Sequence, residues 1–321
     1  MQQDDLVSVV LPNHDRARSI VRAIRGVLAQ THRNLELIVV DDASTDNSVA
    51  LIEAEAARDP RVRLIRHPAN RGAAAARTTG IEAARGDLIA FQDSDDQWLP
   101  DKLEVQTHAL AGFPADCVAV FGPEIIYGRD GEGSRKRYGP RRAACVPGPG
   151  VRIESGDLSA AFARGNLMTL QTVLLRKAAF FAAGGFDPLL RNNEDWDFNI
   201  RLSRLGPIGY LDAPLVVVFD SPDGISKNRR ASLASQVRIF RKLRRAGVAP
   251  ATLAAQAVAV GRLLSYEDRH RAARRHFAFA LAQAPRRPAI WVRWVTSFHP
   301  TAARLISWRQ RRRWRSGPVR S

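Results

Sequence analysis

The first hundred residues alternate between short apolar runs and segments with helical spacing. Runs rich in Val, Ile and Leu occupy residues 6–11, 35–40, 61–66 and 87–92. Segments with apolar residues three and four apart lie between them, at 16–30, 46–58 and 71–85. This alternation predicts an α/β fold, a mostly parallel sheet flanked by helices with a Rossmann-like nucleotide-binding half. Such sheets bind ligands at the carboxyl ends of their strands.

Acidic residues follow two of these apolar runs. Asp41 and Asp42 come after the second run, and the segment DSDD at 93–96 comes after the fourth. Three carboxylates within four residues repel one another unless something neutralises them. The cluster therefore indicates a divalent cation and a phosphate-bearing ligand. A solvated acidic turn that caps the next helix is the alternative.

The charge of the chain divides into two parts. Residues 1–228 carry 27 basic and 30 acidic side chains, whereas residues 229–321 carry 22 basic and only 2 acidic ones. We therefore predict a domain at 1–228 and a helical, strongly basic region at 229–321. The predicted helices of that region are 229–246, 250–264, 267–283, 288–297 and 301–315. The excess charge indicates an anionic partner, which is a membrane surface, an acidic glycan or a nucleic acid.

The cysteines and the N-terminus bear on the compartment. Two cysteines, Cys117 and Cys145, rule out a disulfide framework, and their spacing fits no metal motif. The first residues are polar and resemble no secretory signal, and no run of about 18 apolar residues occurs. We predict a cytoplasmic protein, and a peripheral location at the inner face of the cell membrane stays open.

Five segments together carry a family resemblance. They are VSVVLPNHDR (7–16), ELIVVDDASTDNS (36–48), NRGAAAARTTGIEAARGDLIAFQDSDDQWLPDKL (70–103), GGFD (184–187) and NEDWDFNIRL (193–202). In this order they resemble a family 2 glycosyltransferase with the GT-A fold, over about residues 5–220. The resemblance implies inverting, non-processive transfer of one sugar from a nucleotide sugar, UDP-linked by default. The acceptor would be a cell-surface polysaccharide or a lipid-linked glycan.

The same resemblance implies which residues bind the donor. The nucleotide-sugar-binding set is Pro12, Asn13, His14, Asp41, Asp42, Arg77, Asp93, Ser94 and Asp96. Asp42 would hydrogen-bond the base, while Asp41 would support the loop. Arg77 would lie near the diphosphate, although a lone arginine in a helix is commonly solvated. Asp15 stands where the family has an asparagine.

Metal ligands and catalytic residues are also implied by the resemblance. Asp93 and Asp95 match the family's DxD motif, in which Asp95 would bind Mn²⁺ or Mg²⁺ and Asp93 the metal or the ribose. Asp96 would orient its neighbours or accept a hydrogen bond from the sugar. Asp195 would take the proton of the acceptor hydroxyl, and Glu194 would help to position it. The alternative for the acidic pair is an ordinary helix start.

Two further assignments stay open. Trp98 would line the sugar site or pack in the core, and Asn193 would cap the helix that follows it. Many relatives have a histidine metal ligand after the strand that ends near Phe219, but here the segment is FDSPDGIS (219–226). Asp220 or Asp223 would have to replace that histidine. The chain also lacks the QxxRW-type signature of processive synthases.

Aromatic residues alternate with arginines near the C-terminus. Trp291, Trp294 and Phe298 share one predicted helical face, and arginines crowd residues 309–315. This pattern suits the headgroup region of an anionic membrane, although a helical layer packed on the first domain would also produce it. Two other functions also stay open at this point. One is a non-catalytic protein that binds nucleotide sugars or glycans on the same fold, and the other is a basic nucleic-acid-binding protein.

Overall fold

The structure is a computed structural model, and it describes residues 5–128, 144–146, 154–220 and 229–298. The chain divides into two compact units, Met1–Lys227 and Asn228–Ser321. The predicted helix 301–315, with its tryptophans and arginines, lies outside the described residues. Residues 128–150 are rich in Gly, Pro and Arg, which predicts a long loop, and most of that segment also lies outside the described residues.

The first unit contains two β-sheets. Its strands are β1 (Val7–Asn13), β2 (Leu35–Asp41), β3 (Val62–Arg66), β4 (Leu88–Phe91), β5 (Gln97–Trp98), β6 (Ala119–Phe121), β7 (Glu124–Gly128), β8 (Ala144–Val146), β9 (Val173–Arg176), β10 (Ile208–Tyr210) and β11 (Val216–Asp220). The larger sheet has the order β10-β6-β9-β4-β1-β2-β3, and the smaller has the order β5-β11-β7-β8. In the larger sheet only β9 runs antiparallel to its neighbours, β4 and β6. The prediction of a mostly parallel sheet is therefore confirmed.

Helices cover the larger sheet. They are α1 (Ile20–Leu28), α2 (Ser48–Arg58), α3 (Ala73–Ala83), α4 (Lys102–Gly112), α5 (Ser159–Arg164), α6 (Lys177–Ala182) and α7 (Glu194–Leu202). In α1 the side chains of Ile20, Ala23, Ile24 and Val27 are buried, as their helical spacing predicts. Helix α3 approaches the sheet closely at Gly80, where a Cβ atom would collide with the side chain of Val10. A larger residue at Gly80 would therefore push α3 away from β1.

The sheet register brings the acidic segments to one edge. Asn13 at the end of β1 pairs with Asp41 at the end of β2. On the other side of β1, Val10 pairs with Phe91, the last residue of β4. Because these three strands are parallel, the residues that follow them emerge on the same side of the sheet. The two acidic segments thus meet where the sequence predicts.

Parts of the second hundred residues differ from the predictions. Helix α4 and the smaller sheet were not predicted, and β8 lies inside the segment that was predicted as a loop. Residues 171–175 have a strand-like sequence, which predicts one strand, but the structure has a short 3₁₀ turn at Leu170–Thr172 before β9 starts at Val173. The smaller sheet joins strands that are distant in sequence, so no local period indicates it.

The second unit is helical in its described part. It contains α8 (Arg229–Arg245), α9 (Pro250–Tyr266), α10 (His270–Gln283) and α11 (Pro288–Thr296), which match four predicted helices. Pro250 and Pro288 begin their helices, where proline fits best because the first N–H has no helical partner. Gly261 lets α9 approach Phe277 of α10. Within the described ranges, each helix is too short or too polar to cross a bilayer.

Candidate active site

A pocket of about 730 Å³ opens at the edge of the sheet where the acidic segments meet. Its size is ordinary for a small-molecule site. Eleven of the twelve predicted site residues line it: Pro12, Asn13, His14, Asp42, Arg77, Asp93, Ser94, Asp95, Asp96, Glu194 and Asp195. The twelfth, Asp41, is buried behind the lining. Its carboxylate accepts hydrogen bonds from Asn13 Nδ2 at 2.9 Å and from the backbone N–H of Ser44 at 3.0 Å.

Asp42 is held rigidly at one side of the pocket. Its Oδ1 accepts from the Arg71 N–H at 2.9 Å and its Oδ2 from the Gly72 N–H at 2.6 Å. Gly72 has φ +87°, a conformation that favours glycine and turns its N–H toward the carboxylate. Buried His67, which sequence reasoning missed, bonds Asp42 Oδ1 through Nδ1 at 2.7 Å. The orientation of Asp42 is therefore fixed from three directions.

Asp15 closes the loop beside His14. The residue has φ 50°, and its carboxylate accepts from the N–H groups of Thr45 and Asp46 at 2.7 and 3.2 Å. The bond from Thr45 holds the pKa of Asp15 below its usual value. An aspartate thus makes two backbone contacts at the position where the family has asparagine. His14 lies at the exposed rim of the pocket, where its Nε2 is 3.6 Å from the carboxylate of Asp15.

Arg77 links two acidic groups that are distant in sequence. Its guanidinium donates to Asp93 Oδ1 at 2.7 Å and to Glu194 Oε1 at 3.0 Å. Only 8% of the residue is exposed, so it is not on a solvated helix face. Burial opposes its charge, but the carboxylates of Asp93 and Glu194 outweigh burial and raise the pKa of Arg77. Its Nε is buried with no hydrogen-bond partner among the described residues.

The acidic cluster is partly desolvated. Burial first, and then the charge of Asp93, raises the pKa of Asp95. The same two causes raise the pKa of Asp96 to about 9, although its Oδ1 accepts from the Phe219 N–H at 3.0 Å. Arg16 is 3.9 Å from Asp95, which is a loose ion pair. A cation bound beside these carboxyls would offset the repulsion among their charges.

Glu124 is a further buried carboxyl of the pocket, and sequence reasoning missed it. It begins β7, its Oε2 accepts from Thr169 Oγ1 at 2.6 Å, and burial raises its pKa. Gln171 Nε2 lies 3.3 Å from Asp96 Oδ2 and 3.5 Å from Glu124 Oε2, between the two carboxyls. No motif surrounds Glu124 in the sequence, so only the three-dimensional arrangement identifies it.

Asp195 lies in the first turn of α7 and is partly buried at the wall of the pocket. Its Oδ2 accepts from Asn166 Nδ2, and its Oδ1 accepts from the Trp196 N–H, both at 2.7 Å. Burial and the adjacent Glu194 raise the pKa of Asp195 to about 7. A carboxyl with this pKa suits a general base at neutral pH. Asn193, the predicted cap, makes no side-chain capping bond and has φ 57°.

Two assignments that the sequence left open concern Trp98 and the replacement for the missing histidine ligand. Trp98 is 3% exposed and belongs to the core, so it does not line the pocket. The side chain of Asp220 and all of Asp223, the two candidates for the missing histidine ligand, lie outside the described residues.

The pocket can supply part of a metal site. Among the side chains that the structure describes, no group of three His, Cys, Asp or Glu residues could hold a metal ion alone. Asp93 and Asp95 nevertheless line the same pocket, and Asp95 has only a loose ion pair. Magnesium is commonly bound by one or two carboxylates with phosphate oxygens and water as the other ligands. The residues therefore fit a divalent ion that is completed by a bound phosphate.

Comparison with known proteins agrees with the fold and the motifs. Residues 8–175 match the model of glycosyl transferase family 2, which is just over half of the chain. This chain belongs to glycosyl transferase family 2. The Escherichia coli protein WfgD, a UDP-Glc:alpha-D-GlcNAc-diphosphoundecaprenol beta-1,3-glucosyltransferase, is 42% identical over 104 residues, which cover 32% of this chain and 40% of WfgD. The matched segments span 17% to 49% of the length of eight curated relatives, WfgD among them.

Two solved structures share the fold. S. aureus TarS 1-349 in complex with UDP-GlcNAc has a TM-score of 0.57 at 17% identity, and the likeness covers 91% of this chain and 79% of that one. The Pyrobaculum calidifontis mannosyltransferase PcManGT, in complex with GDP-Man and Mn²⁺, has a TM-score of 0.59 at 20% identity and covers 95% and 88%. The predicted GT-A type of fold is confirmed by these likenesses.

Proposed function

We propose that the pocket transfers one sugar from a nucleotide sugar to a hydroxyl of a glycan acceptor. The observation that carries this proposal is the buried bridge from Asp93 through Arg77 to Glu194. The bridge joins the candidate donor site after β4 to Glu194, which precedes the candidate base Asp195 at the start of α7. A chance cluster of surface acids would give no reason for a buried arginine between the two sites. In this proposal Met1–Lys227 is the catalytic domain.

The donor would occupy the side of the pocket near β1 and β2. Pro12, Asn13 and His14 would contact the base, and Asp42 would accept a hydrogen bond from it. The unpartnered Nε of Arg77 is a donor suited to a diphosphate oxygen. UDP is the default nucleotide, and the complex of TarS with UDP-GlcNAc supports it. Because PcManGT is in complex with GDP-Man, GDP-sugars are the second donor class to be tested.

Asp93 and Asp95 would hold Mn²⁺ or Mg²⁺ together with the diphosphate. A bound divalent ion would supply Lewis-acid stabilisation of the charge that develops on the leaving nucleoside diphosphate. The Mn²⁺ in the PcManGT complex supports this assignment. Ser94 and Asp96 would line the sugar, and Asp96 would orient its neighbours or accept a hydrogen bond from a sugar hydroxyl.

Asp195 would act as the general base of an inverting single displacement. As the acceptor oxygen bonds to the anomeric carbon, the bond from that carbon to the diphosphate oxygen breaks. The proton of the acceptor hydroxyl passes to Asp195, whose pKa of about 7 leaves much of it charged at neutral pH. Glu194, held by Arg77, would position the acceptor or the base.

The acceptor would be a cell-surface polysaccharide or its lipid-linked precursor. Support comes from the printed name of WfgD, whose acceptor is a sugar on diphosphoundecaprenol. A direct test incubates nucleotide sugars and Mn²⁺ with synthetic lipid-diphosphate monosaccharides, with product detected as a mass gain of one sugar. We expect one donor to be used, with the activity lost in Asp195→Asn. Failure of every donor with a folded wild type that contains metal would contradict the proposal.

We further propose that the second unit docks on an anionic membrane. Trp291, Val292, Val295 and Phe298, on and just after α11, are 46% to 57% exposed. Arg286 and Arg287, exposed immediately before α11, add positive charge beside this apolar face. The region 229–321 has a net charge of +20, so anionic headgroups are the complementary surface. Apolar side chains among arginines are typical of helices that lie in the interface.

Vesicle flotation tests this docking. Wild type should float with vesicles that contain phosphatidylglycerol and not with neutral vesicles. Trp291→Glu with Val295→Glu should reduce binding at least tenfold, because two charges enter the apolar face. Leu205→Glu is the matched control, since Leu205 is 44% exposed but lies in the first unit. Equal flotation of the double variant and wild type would refute the assignment, as would salt-sensitive DNA binding without vesicle binding.

A further inference from the structure

Two asparagines that belong to no recognised motif connect the candidate base to the protein interior. Asn166 follows α5 and donates from Nδ2 to Asp195 Oδ2 at 2.7 Å. Asn199, which is fully buried, donates from Nδ2 to Asn166 Oδ1 at 2.9 Å. Asn199 lies four residues after Asp195 in α7, so both point from the same side of the helix. The result is a hydrogen-bonded chain from Asn199 through Asn166 to Asp195.

The direction of this chain is determined at its inner end. Asn199 Nδ2 also donates to the backbone carbonyl of Met168 at 2.7 Å, and a carbonyl can only accept. The amino group of Asn199 is therefore fixed toward Met168 and Asn166. It presents its second hydrogen to Asn166, so the carbonyl oxygen of Asn166 must face Asn199. The amino group of Asn166 then necessarily faces Asp195.

We propose that Asn166 and Asn199 are positioning residues for the candidate base Asp195. Asn199 sets the orientation of the Asn166 amide, and Asn166 holds the Asp195 carboxylate in place and in its charged form. This inference rests on the proposed role of Asp195. Asp195 keeps an unused lone pair on each oxygen, because Asn166 and the Trp196 N–H occupy one position each. The carboxylate can thus receive an acceptor proton without losing its supports.

The charge balance at Asp195 explains why a neutral amide is useful there. Burial and Glu194 on the same helix raise the pKa of Asp195, while Arg77 from α3, the Trp196 N–H and the amide of Asn166 lower it. Arg77 forms ion pairs with Asp93 and Glu194, and these two charges weaken the stabilisation that Arg77 gives to the Asp195 carboxylate. The neutral amide of Asn166 stabilises the charged Asp195 carboxylate by a hydrogen bond. A cation at this position would instead lower the Asp195 pKa further and pull the carboxylate away from the acceptor.

The test measures the ionisation of Asp195 directly and does not depend on activity. Carboxyl ¹³C resonances of labelled aspartate are followed against pH, with Asp195 assigned through Asp195→Asn. In Asn166→Leu, which keeps the branched shape of the side chain but has no donor, we expect the Asp195 pKa to rise by about one unit. Asn199→Leu should raise it by a smaller amount, because Asn166 remains but is free to turn. An unchanged pKa in Asn166→Leu would overturn the proposal.

A control on the same helix separates positioning from general destabilisation. Arg201→Gln breaks the ion pair with Asp197 at 2.8 Å but leaves Asp195 and its partners intact. Arg201→Gln should lower thermal stability and leave the Asp195 pKa unchanged. If its Asp195 pKa shifts as much as that of Asn166→Leu, the shift does not report on the hydrogen-bonded chain and the proposal is refuted. If Asn199→Leu fails to fold, the result for Asn166→Leu alone tests the proposal.

Where transfer is detected, the pKa of the acidic limb of the kcat/KM profile should rise in Asn166→Leu by the same amount as the Asp195 pKa. If wild type transfers no sugar, the proposed function fails while the pKa measurement still tests the relay.

Discussion

Replacing Arg77 with methionine should destabilise the first unit. Methionine keeps the length and apolar packing of the side chain but leaves Asp93 and Glu194 without their shared cation. Removing one partner of a buried ion pair costs about 3–5 kcal/mol. The carboxylate of Asp93 is 27% exposed and can be solvated in part, so the lower end applies. We expect a loss of about 3 kcal/mol at pH 8, or about 6–12 °C in Tm for a unit of this size.

The loss of stability in Arg77→Met should depend on pH with a definite sign. Asp195 has a folded pKa of about 7, above the value of about 3.9 for an unfolded chain. Between these values the folded state binds more protons, so stability falls as pH rises through the window. Arg77 lowers the pKa of Asp195, and its removal extends the window upward. The variant should therefore lose more stability at pH 8 than at pH 5.

Scanning calorimetry at both pH values tests this prediction. The control is Arg58→Met, because Arg58 is 67% exposed and its partner Glu55 keeps Arg25 at 2.7 Å. Exposed pairs of this kind contribute about 0–1 kcal/mol, so the control should change little. An Arg77→Met variant as stable as the Arg58→Met control, or with equal losses at pH 5 and pH 8, would refute the reasoning.

Three other substitutions test separate features. Glu124→Gln should raise Tm at pH 8 and reduce any transfer, because the neutral amide removes a buried charge that the pocket uses; a lower Tm would contradict this reading. Gly80→Ala should destabilise the first unit by about 1–3 kcal/mol in urea unfolding, since its Cβ would collide with Val10, and a neutral result would show that α3 can shift. Lys102→Met should raise Tm at pH 7, because burial lowers the Lys102 pKa well below its usual value and folding must release a proton. From pH 7 to pH 9 the stability of wild type should rise relative to that of the Lys102 variant, which unfolding of both proteins at the two pH values checks.

The edge of the sheet could be predicted because the information is local. Period and strand ends place Asp41, Asp42 and the segment 93–96 after parallel strands, and parallel strands leave these segments on one side. The helices of the second unit were predictable for the same reason, since prolines and helical spacing mark them. Motif order then added Glu194 and Asp195, which the structure places in the same pocket.

The interior contacts of the site could not be predicted, because they join segments distant in sequence. Arg77 is 117 residues from Glu194, and only the folded chain shows that it is buried rather than solvated. Glu124 and Asn166 lie in stretches with no motif or clear period. Their roles depend on burial and on hydrogen-bond partners such as Thr169. Sequence patterns therefore identify the candidate site carboxylates and miss the groups that hold them.

Calorimetric titration of nucleotide sugars tests the central claim most directly, because it needs no acceptor. UDP-, GDP- and dTDP-sugars are titrated with and without Mn²⁺ into wild type and Asp95→Asn, with unfolding temperatures confirming that both are folded. We predict that one donor class binds wild type in a metal-dependent manner and that this binding is lost in Asp95→Asn. Absence of binding by every donor to folded wild type, or metal-dependent binding that persists unchanged in Asp95→Asn, would contradict it.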